Sequence, residues 1–192
     1  MTRQRVQIDK KDRTILSLLY ENKDISQEEI AKKINLSQPS VAMRIKKLRE
    51  RGIIDEISGV NLNLVGLYVA QVIVRSTNPN KILGLFKDCP FFINGFIVSG
   101  QNNLLLMFAG EDLASLEAVI DGHIRADKDV QSADFNIVIS SIKDYITPLK
   151  TLSKPLKNPP CGSNRKCVDC SAYKENRCFG CPATALYKGV FW

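Results

Sequence analysis

The chain has no apolar run near the roughly 20 residues that a helix needs to cross a bilayer, so no membrane partner is expected. It opens Met1-Thr2-Arg3-Gln4-Arg5 and runs into charged sequence. The apolar core of an export signal is missing there, and a cytoplasmic location is expected. Histidine is almost absent: His123 is the single one among 192 residues. With one imidazole and no convergent acid–base set, the chain is expected not to be an enzyme. No segment repeats, which removes repeat architectures. Cysteine is absent before Cys89, and the other five fall at 161, 167, 170, 178 and 181. A hydrophobic content of 44% is ordinary for a globular protein.

Charge is distributed unevenly. Residues 1–62 carry 13 Lys/Arg against 9 Asp/Glu, a net of +4. Residues 63–149 carry 6 against 9, a net of −3, and residues 150–192 carry 8 against 2, a net of +6. Basic ends suit a polyanion, because neutralised phosphates release counterions. A bare excess of charge also serves solubility, so a motif has to decide between the two.

The first 62 residues supply one. Asp9 is placed to cap a helix running to Tyr20, with Ile15, Leu16, Leu18 and Leu19 as its apolar stripe. Ser26-Gln27-Glu28-Glu29 has the form of a capping box for a second helix carrying Ile30, Ala31 and Ile34. After the tight Asn35-Leu36 turn, Ser37 opens a third helix with Pro39 in its first turn. Its buried face is Val41, Ile45 and Leu48, and Gly52 ends it. Ile53–Ile57 and Val60–Leu64 flank Ser58-Gly59 and read as a small hairpin. A helix, a short turn and a second helix place that second helix in a DNA major groove, where each base pair shows its own donor–acceptor pattern. The face left for the groove starts with Ser37, Gln38, Pro39 and Ser40. It continues through Met43, Arg44, Lys47 and Arg51, the cationic members suiting phosphates or guanine.

From Leu67 the period changes to strand, helix, strand, strand, helix, strand, with helices over Asn80–Asp88 and from Asp112 to Ile124. That order is the split βαβ arrangement of the ferredoxin-like fold. Leu104, Leu106 and Phe108 alternate with Leu105, Met107 and Ala109, so both faces of one strand are apolar. A homodimer is the simplest cover for the second face. Pro148, Pro155, Pro159 and Pro160, with Lys150, Lys154 and Lys157, mark residues 148–160 as a linker.

These residues resemble a known family. Ile8-Asp9-Lys10-Lys11-Asp12, Ile25-Ser26-Gln27-Glu28-Glu29-Ile30-Ala31, Leu36-Ser37, Val41–Leu48 and Gly52-Ile53-Ile54 are similar to the Lrp/AsnC (leucine-responsive) regulators of bacteria and archaea. The resemblance implies sequence-specific transcription regulation. It also implies DNA approached by Ser37, Gln38, Pro39, Ser40, Arg44 and Lys47, pseudo-palindromic operators on double-stranded DNA, and homodimers that assemble further. It implies a regulatory domain that takes small effectors. Amino-acid-sensing members usually carry an acidic residue soon after the glycine of the second hairpin, whereas this chain has Gly100-Gln101-Asn102. The missing carboxylate removes an obvious ammonium partner, and leaves Gly100, Gln101 and Asn102 as candidates for another effector.

The cysteine tail lies outside the usual family pattern. Cys167-Val168-Asp169-Cys170 and Cys178-Phe179-Gly180-Cys181 are two C-x-x-C pairs, and four thiolates are the common structural-zinc set and equally the [4Fe–4S] set. A regulator gains a redox switch from iron and none from structural zinc, which tips the choice toward the cluster. Cys161 is a further ligand or a resolving thiol. His123 and Cys89 read as packing residues, and Phe191 and Trp192 as packing onto the tail or a neighbouring subunit. The expected architecture is α+β: a winged helix-turn-helix over 1–62, a ferredoxin-like βαββαβ domain over 63–147, the linker over 148–160, and a cysteine-rich metal or iron–sulfur segment over 161–192. The expected function is a DNA-binding regulator modulated by that metal or redox site. One alternative is a small-molecule-responsive regulator with a structural zinc tail. Another is an enzyme of the same fold acting on tetrapyrroles.

Overall fold

The computed structural model describes residues 6–56, 58–161 and 166–192. The opening five residues and Ile57, at the end of the expected hairpin's first arm, lie outside them. The chain forms two compact units, 1–56 and 57–192.

In the first unit three helices follow from local chemistry. Helix α1 (Lys10–Glu21) starts in a reciprocal capping box, where Asp9 accepts the Asp12 amide at 2.8 Å and Asp12 accepts the Asp9 amide at 3.1 Å. Helix α2 (Gln27–Ile34) starts in a second box between Ser26 and Glu29. Each box satisfies two amides that the helix itself cannot. Glu28 and Glu29 in the first turn of α2, and Lys32 and Lys33 in its last, complement the helix dipole. Asn35 takes a left-handed conformation, φ 52°, and turns the chain into α3 (Gln38–Glu50). Gly52, at φ +64°, closes α3. Its amide donates to Arg49 O and the Ile53 amide to Leu48 O, the paired bonds of a Schellman motif. The core joins Ile15 and Leu18 to Ile30, Ala31, Val41, Ile45 and Leu48.

The hairpin expected around Ser58-Gly59 is not formed among the described residues. Ile53 and Ile54 instead pack against the helical core. Strand β1 (Val60–Asn61) pairs antiparallel with the distant β6 (Ile146–Thr147). The backbone at Gly59 lies so close to β6 that a Cβ there would sit 2.8 Å from Ile146 Cγ2 and 2.9 Å from the Thr147 backbone. A long-range partner has replaced the local one.

The second unit is built on β2 (Tyr68–Ser76), β3 (Phe92–Ile97), β4 (Leu104–Gly110) and β5 (Val130–Ile137), an antiparallel sheet in the order β3-β4-β2-β5. This is the ferredoxin-like order. Helices α4 (Pro79–Leu85), capped by Asn78, and α5 (Leu113–Ile120), capped by Asp112, cover one face. Val72 and Val74 from β2 and Leu106 and Phe108 from β4 meet Ile82, Phe86, Leu116 and Ile120 in a core with no exposure. The helix expected to reach Ile124 breaks at Ile120. A π-turn over Asp121–Arg125 follows, and Ile124 still returns to the core.

Residues 148–161 lie along this domain rather than away from it. Lys150 pairs with Asp88, and the Leu156 amide donates to Ala183 O at 2.7 Å. The cysteine segment docks on the same unit. Its short helix α6 (Ser171–Lys174) buries Ala172, and Ala183 is fully buried. The Phe179 amide donates to Ser115 Oγ at 2.8 Å. Trp192 packs edge-on against Phe91, centroids 5.2 Å apart, and against Phe191 at 4.8 Å.

Glu111, at the β4–α5 junction, is the polar anchor of this docking. Its carboxylate accepts the Tyr187 hydroxyl, the Val190 amide at 3.0 Å and the Phe191 amide at 2.9 Å. Burial works to raise its pKa, but the three donors outweigh burial and hold the carboxyl below its ordinary value. A carboxyl depressed in the fold stabilises it above the unfolded pKa of ~4.3, and that contribution is lost as pH falls through the carboxylate range. Glu111→Ala is expected to destabilise the second unit by about 2 kcal/mol in urea unfolding at pH 7, with the difference from wild type shrinking below pH ~4. A constant difference down to acid pH would exclude the clamp.

Candidate nucleic-acid interface and thiol-lined cavity

Burial of Val41, Ile45 and Leu48, spaced by four and three residues, sets the rotation of α3 about its axis. The opposite face carries the residues singled out from sequence. Ser37, Gln38, Pro39 and Ser40 are exposed at its start, Met43 is 55% exposed, and Lys47 and Arg51 are exposed further along. Pro39, Ser40, Met43, Lys47 and Arg51 border one open surface concavity with Asp12 and Arg44. Ser37 makes no side-chain cap; its hydroxyl shares a 2.8 Å hydrogen bond with Ser40 Oγ. The first-turn amides therefore have no side-chain cap from Ser37 and can meet an anion. Gln38 Nε2 donates to Gln27 Oε1 at 3.2 Å and ties the start of α3 to that of α2.

Arg44 departs from the sequence reading. One guanidinium nitrogen donates to Asp9 Oδ2 at 2.6 Å and to Asp12 Oδ1 at 2.7 Å. Hydrogen bonds to Asp12 first and Asp9 second hold the guanidinium pKa above its usual value. The Asp12 amide and then Arg44 hold Asp9 below its own. Arg44 staples α3 to the start of α1, and two carboxylates offset its charge. Among the described residues, Lys47 and Arg51 are the cations of this face with no acidic partner within salt-bridge distance.

Gly100, Gln101 and Asn102 are exposed on the β3–β4 turn, with Gly100 at φ +113°. The neighbour that sequence reading passed over, Asn103, does structural work. It accepts the Ser76 amide at 3.0 Å and donates to the Ser76 carbonyl at 2.8 Å.

All six cysteines are free thiols, and all six border one cavity of about 90 Å³, where a water needs ~10–15 Å³. The tail contributes Cys167, Cys170, Cys178 and Cys181, the end of the 148–161 segment contributes Cys161, and the residue before Pro90 contributes Cys89. The wall opposite the tail is the end of α5 with its π-turn, which brings in His123. Cys161 Sγ is 3.7 Å from His123 Nε2. The donors border the cavity without converging: among the described residues no three His, Cys, Asp or Glu side chains reach metal-binding spacing. Burial pushes the Cys181 thiol up to about 11 and Cys89 up to about 12, and raises Cys178. A thiolate here needs a cation or N–H donors beside it. One donor is in place, the Gly180 amide at 3.3 Å from Cys178 Sγ. Gly180 sits at φ +89°, and a Cβ there would meet the Tyr173 ring at 3.0 Å. The donor set suits a soft, thiolate-loving metal.

Residues 8–55 match the family described as winged helix-turn-helix DNA-binding. That match spans most of the first unit, which is thus similar to a DNA-binding module of that class. Over 146 residues the chain is 27% identical to the HTH-type transcriptional regulator Rv2324 of Mycobacterium tuberculosis, covering 73% of this chain and 98% of that protein. It is 26% identical over 147 residues to the leucine-responsive regulatory protein of Rhizobium meliloti, covering 73% and 94%. The fold matches E. coli AsnC at a TM-score of 0.63 and 19% identity, over 73% of this chain and 97% of that one. These likenesses support a DNA-binding transcription regulator of the Lrp/AsnC type. Among the described residues no helix is long and apolar enough to cross a membrane.

The Arg44 staple has a measurable consequence. Arg44→Ala is expected to lower the unfolding midpoint of the helical unit, and Lys47→Ala to leave it in place. In a double-mutant cycle, Arg44→Ala and Asp12→Ala should be less than additive. Full additivity would show that the pair is not coupled in solution.

Proposed function

We propose that this chain regulates transcription by reading double-stranded DNA through the exposed face of α3, as a homodimer on a pseudo-palindromic operator. The observation that carries this reading is the orientation of α3. Three aliphatic side chains point inward, and Ser40, Met43, Lys47 and Arg51 form a continuous outward face. Residues near the helix start suit base edges, and Lys47 and Arg51 suit phosphates. Arg44 reaches DNA only by exchanging two carboxylates for a phosphate, so its first duty is to orient α3.

The second part of the proposal is a metal centre held by thiolates of Cys167, Cys170, Cys178 and Cys181, with Cys161 as a further thiol. The centre is a [4Fe–4S] cluster or zinc. A cluster supplies redox sensitivity when bound; zinc supplies a cross-link. The paired C-x-x-C spacing, the common cavity and the Gly180 N–H aimed at Cys178 support it. Because the tail touches the domain at Ser115 and Glu111, a change in metal occupancy acts on the β4–α5 junction directly, with no need for a swinging linker. Gly100, Gln101 and Asn102 stand as effector candidates by position alone.

Two measurements separate these parts. Lys47→Ala is expected to weaken operator binding and to reduce the slope of log K against log salt by about 1; an unchanged slope sinks the DNA face. Anaerobically purified protein is expected to carry iron with sulfide, or zinc, lost on Cys167→Ser together with Cys178→Ser. Metal content equal in wild type and the double variant would remove the thiolate centre.

A further inference from the structure

The thiolate reading leaves one donor at the cavity without a role, the single imidazole. His123 sits on the π-turn Asp121–Arg125, and both Gly122 and His123 face the cavity. A single π-helical turn is an uncommon interruption of a helix and is frequent at functional sites. Here it follows Ile120 and contains Ile124, both fully buried, so the packing into the core is kept while the turn presents a polar ring. The Phe86 ring, its centroid 6.3 Å away, backs the imidazole from the core side. On the cavity side Cys161 Sγ stands 3.7 Å from Nε2.

We propose that His123, through Nε2, is a ligand of the metal held by the tail thiols, so that the centre is a mixed thiolate–imidazole site spanning the tail and the regulatory domain. This rests on the thiolate reading and adds to it a ligand that the C-x-x-C spacing does not contain. Charge favours it. Four thiolates on a divalent ion leave a net charge of −2, and exchanging one for a neutral imidazole leaves −1. The cavity wall includes Phe91, Ala118, Val119, Pro159 and Pro160, which offer no compensating charge, so the smaller net charge costs less to bury. Imidazole and thiolate together are an ordinary ligand set for zinc. The chain also has five thiols over residues 161–181 for four positions, and the one nearest His123 is Cys161, outside both pairs. A metal held this way cross-links residues 161–181 to α5 through His123.

The test is a Co²⁺ titration of the full reduced chain under anaerobic conditions, read by its ligand-field bands and its thiolate-to-cobalt charge-transfer absorption. Wild type is expected to give bands between those of all-thiolate and mixed sites of higher nitrogen content. His123→Ala is expected to weaken Co²⁺ binding at least tenfold and to shift the bands. His123→Cys guards against a folding defect; it is expected to bind Co²⁺ with bands moved to lower energy and stronger charge transfer. If His123→Ala and His123→Cys both match wild type in affinity and spectrum, the histidine ligand is overturned while the thiolate centre stands. If wild type gives no thiolate-to-cobalt absorption, the thiolate centre fails, and this inference with it.

Discussion

Everything in the first unit depends on how three aliphatic side chains of α3 are seated. Val41, Ile45 and Leu48 are the shared floor on which α1 and α2 rest, and they allow α3 one rotation about its axis. Losing one of them opens a cavity, and such a loss typically costs about 2–5 kcal/mol. Rotation by one residue would move the polar face by ~100° and bury Lys47 or Met43. The Schellman turn at the C-terminal end of α3 and the Arg44 staple at its middle act on the same degree of freedom. The exposed face of α3 is thus a by-product of core packing.

The second unit uses a different economy. Its sheet is covered on one side by α4 and α5, and the C-terminal segment fills in around Phe91 and Glu111. A tail of this length buries too little on its own to offset the entropy of ordering it. Docking solves that with a few specific contacts: the Ser115 hydroxyl, the Glu111 carboxylate and the indole of Trp192. Burial of the phenol and then the Glu111 charge raise the Tyr187 pKa, which keeps that hydroxyl a donor. The thiol cavity is formed between the docked tail and the helix it docks on, so its shape belongs to neither alone.

The parts of the fold that could be read from sequence are those specified within a few residues. The Ser26–Glu29 box, the Gly52 stop, the alternation of β4 and the order of strands and helices all have local signatures. The features that escaped reading are joined across long stretches of chain. Arg44 meets Asp9 from 35 residues away, and Val190 and Phe191 reach Glu111 from 79 and 80. The hairpin expected around Ser58-Gly59 is absent among the described residues, and Val60–Asn61 pairs instead with the distant β6. Among the candidate site residues, the exposure of Ser40, Met43, Lys47 and Arg51 was legible because it follows from helical period alone. Arg44 carried the same periodic signal but spends its charge inside the unit. The approach of Cys161 to His123 has no local signature, because only the π-turn and residues 148–161 bring them to 3.7 Å.

The two-residue ladder between β1 and β6 has a topological effect. It clips together the place where the chain enters the second unit and the place where it leaves the sheet for residues 148–161. Entry and exit therefore form a closed loop around the whole four-stranded sheet, like a drawstring knotted at its neck. A residue inserted between Asn61 and Ile146 would have to be taken up within that loop, whereas one added before Val60 or after Thr147 leaves it unchanged. Evolutionary changes in connector length should accordingly accumulate outside the stretch it encloses.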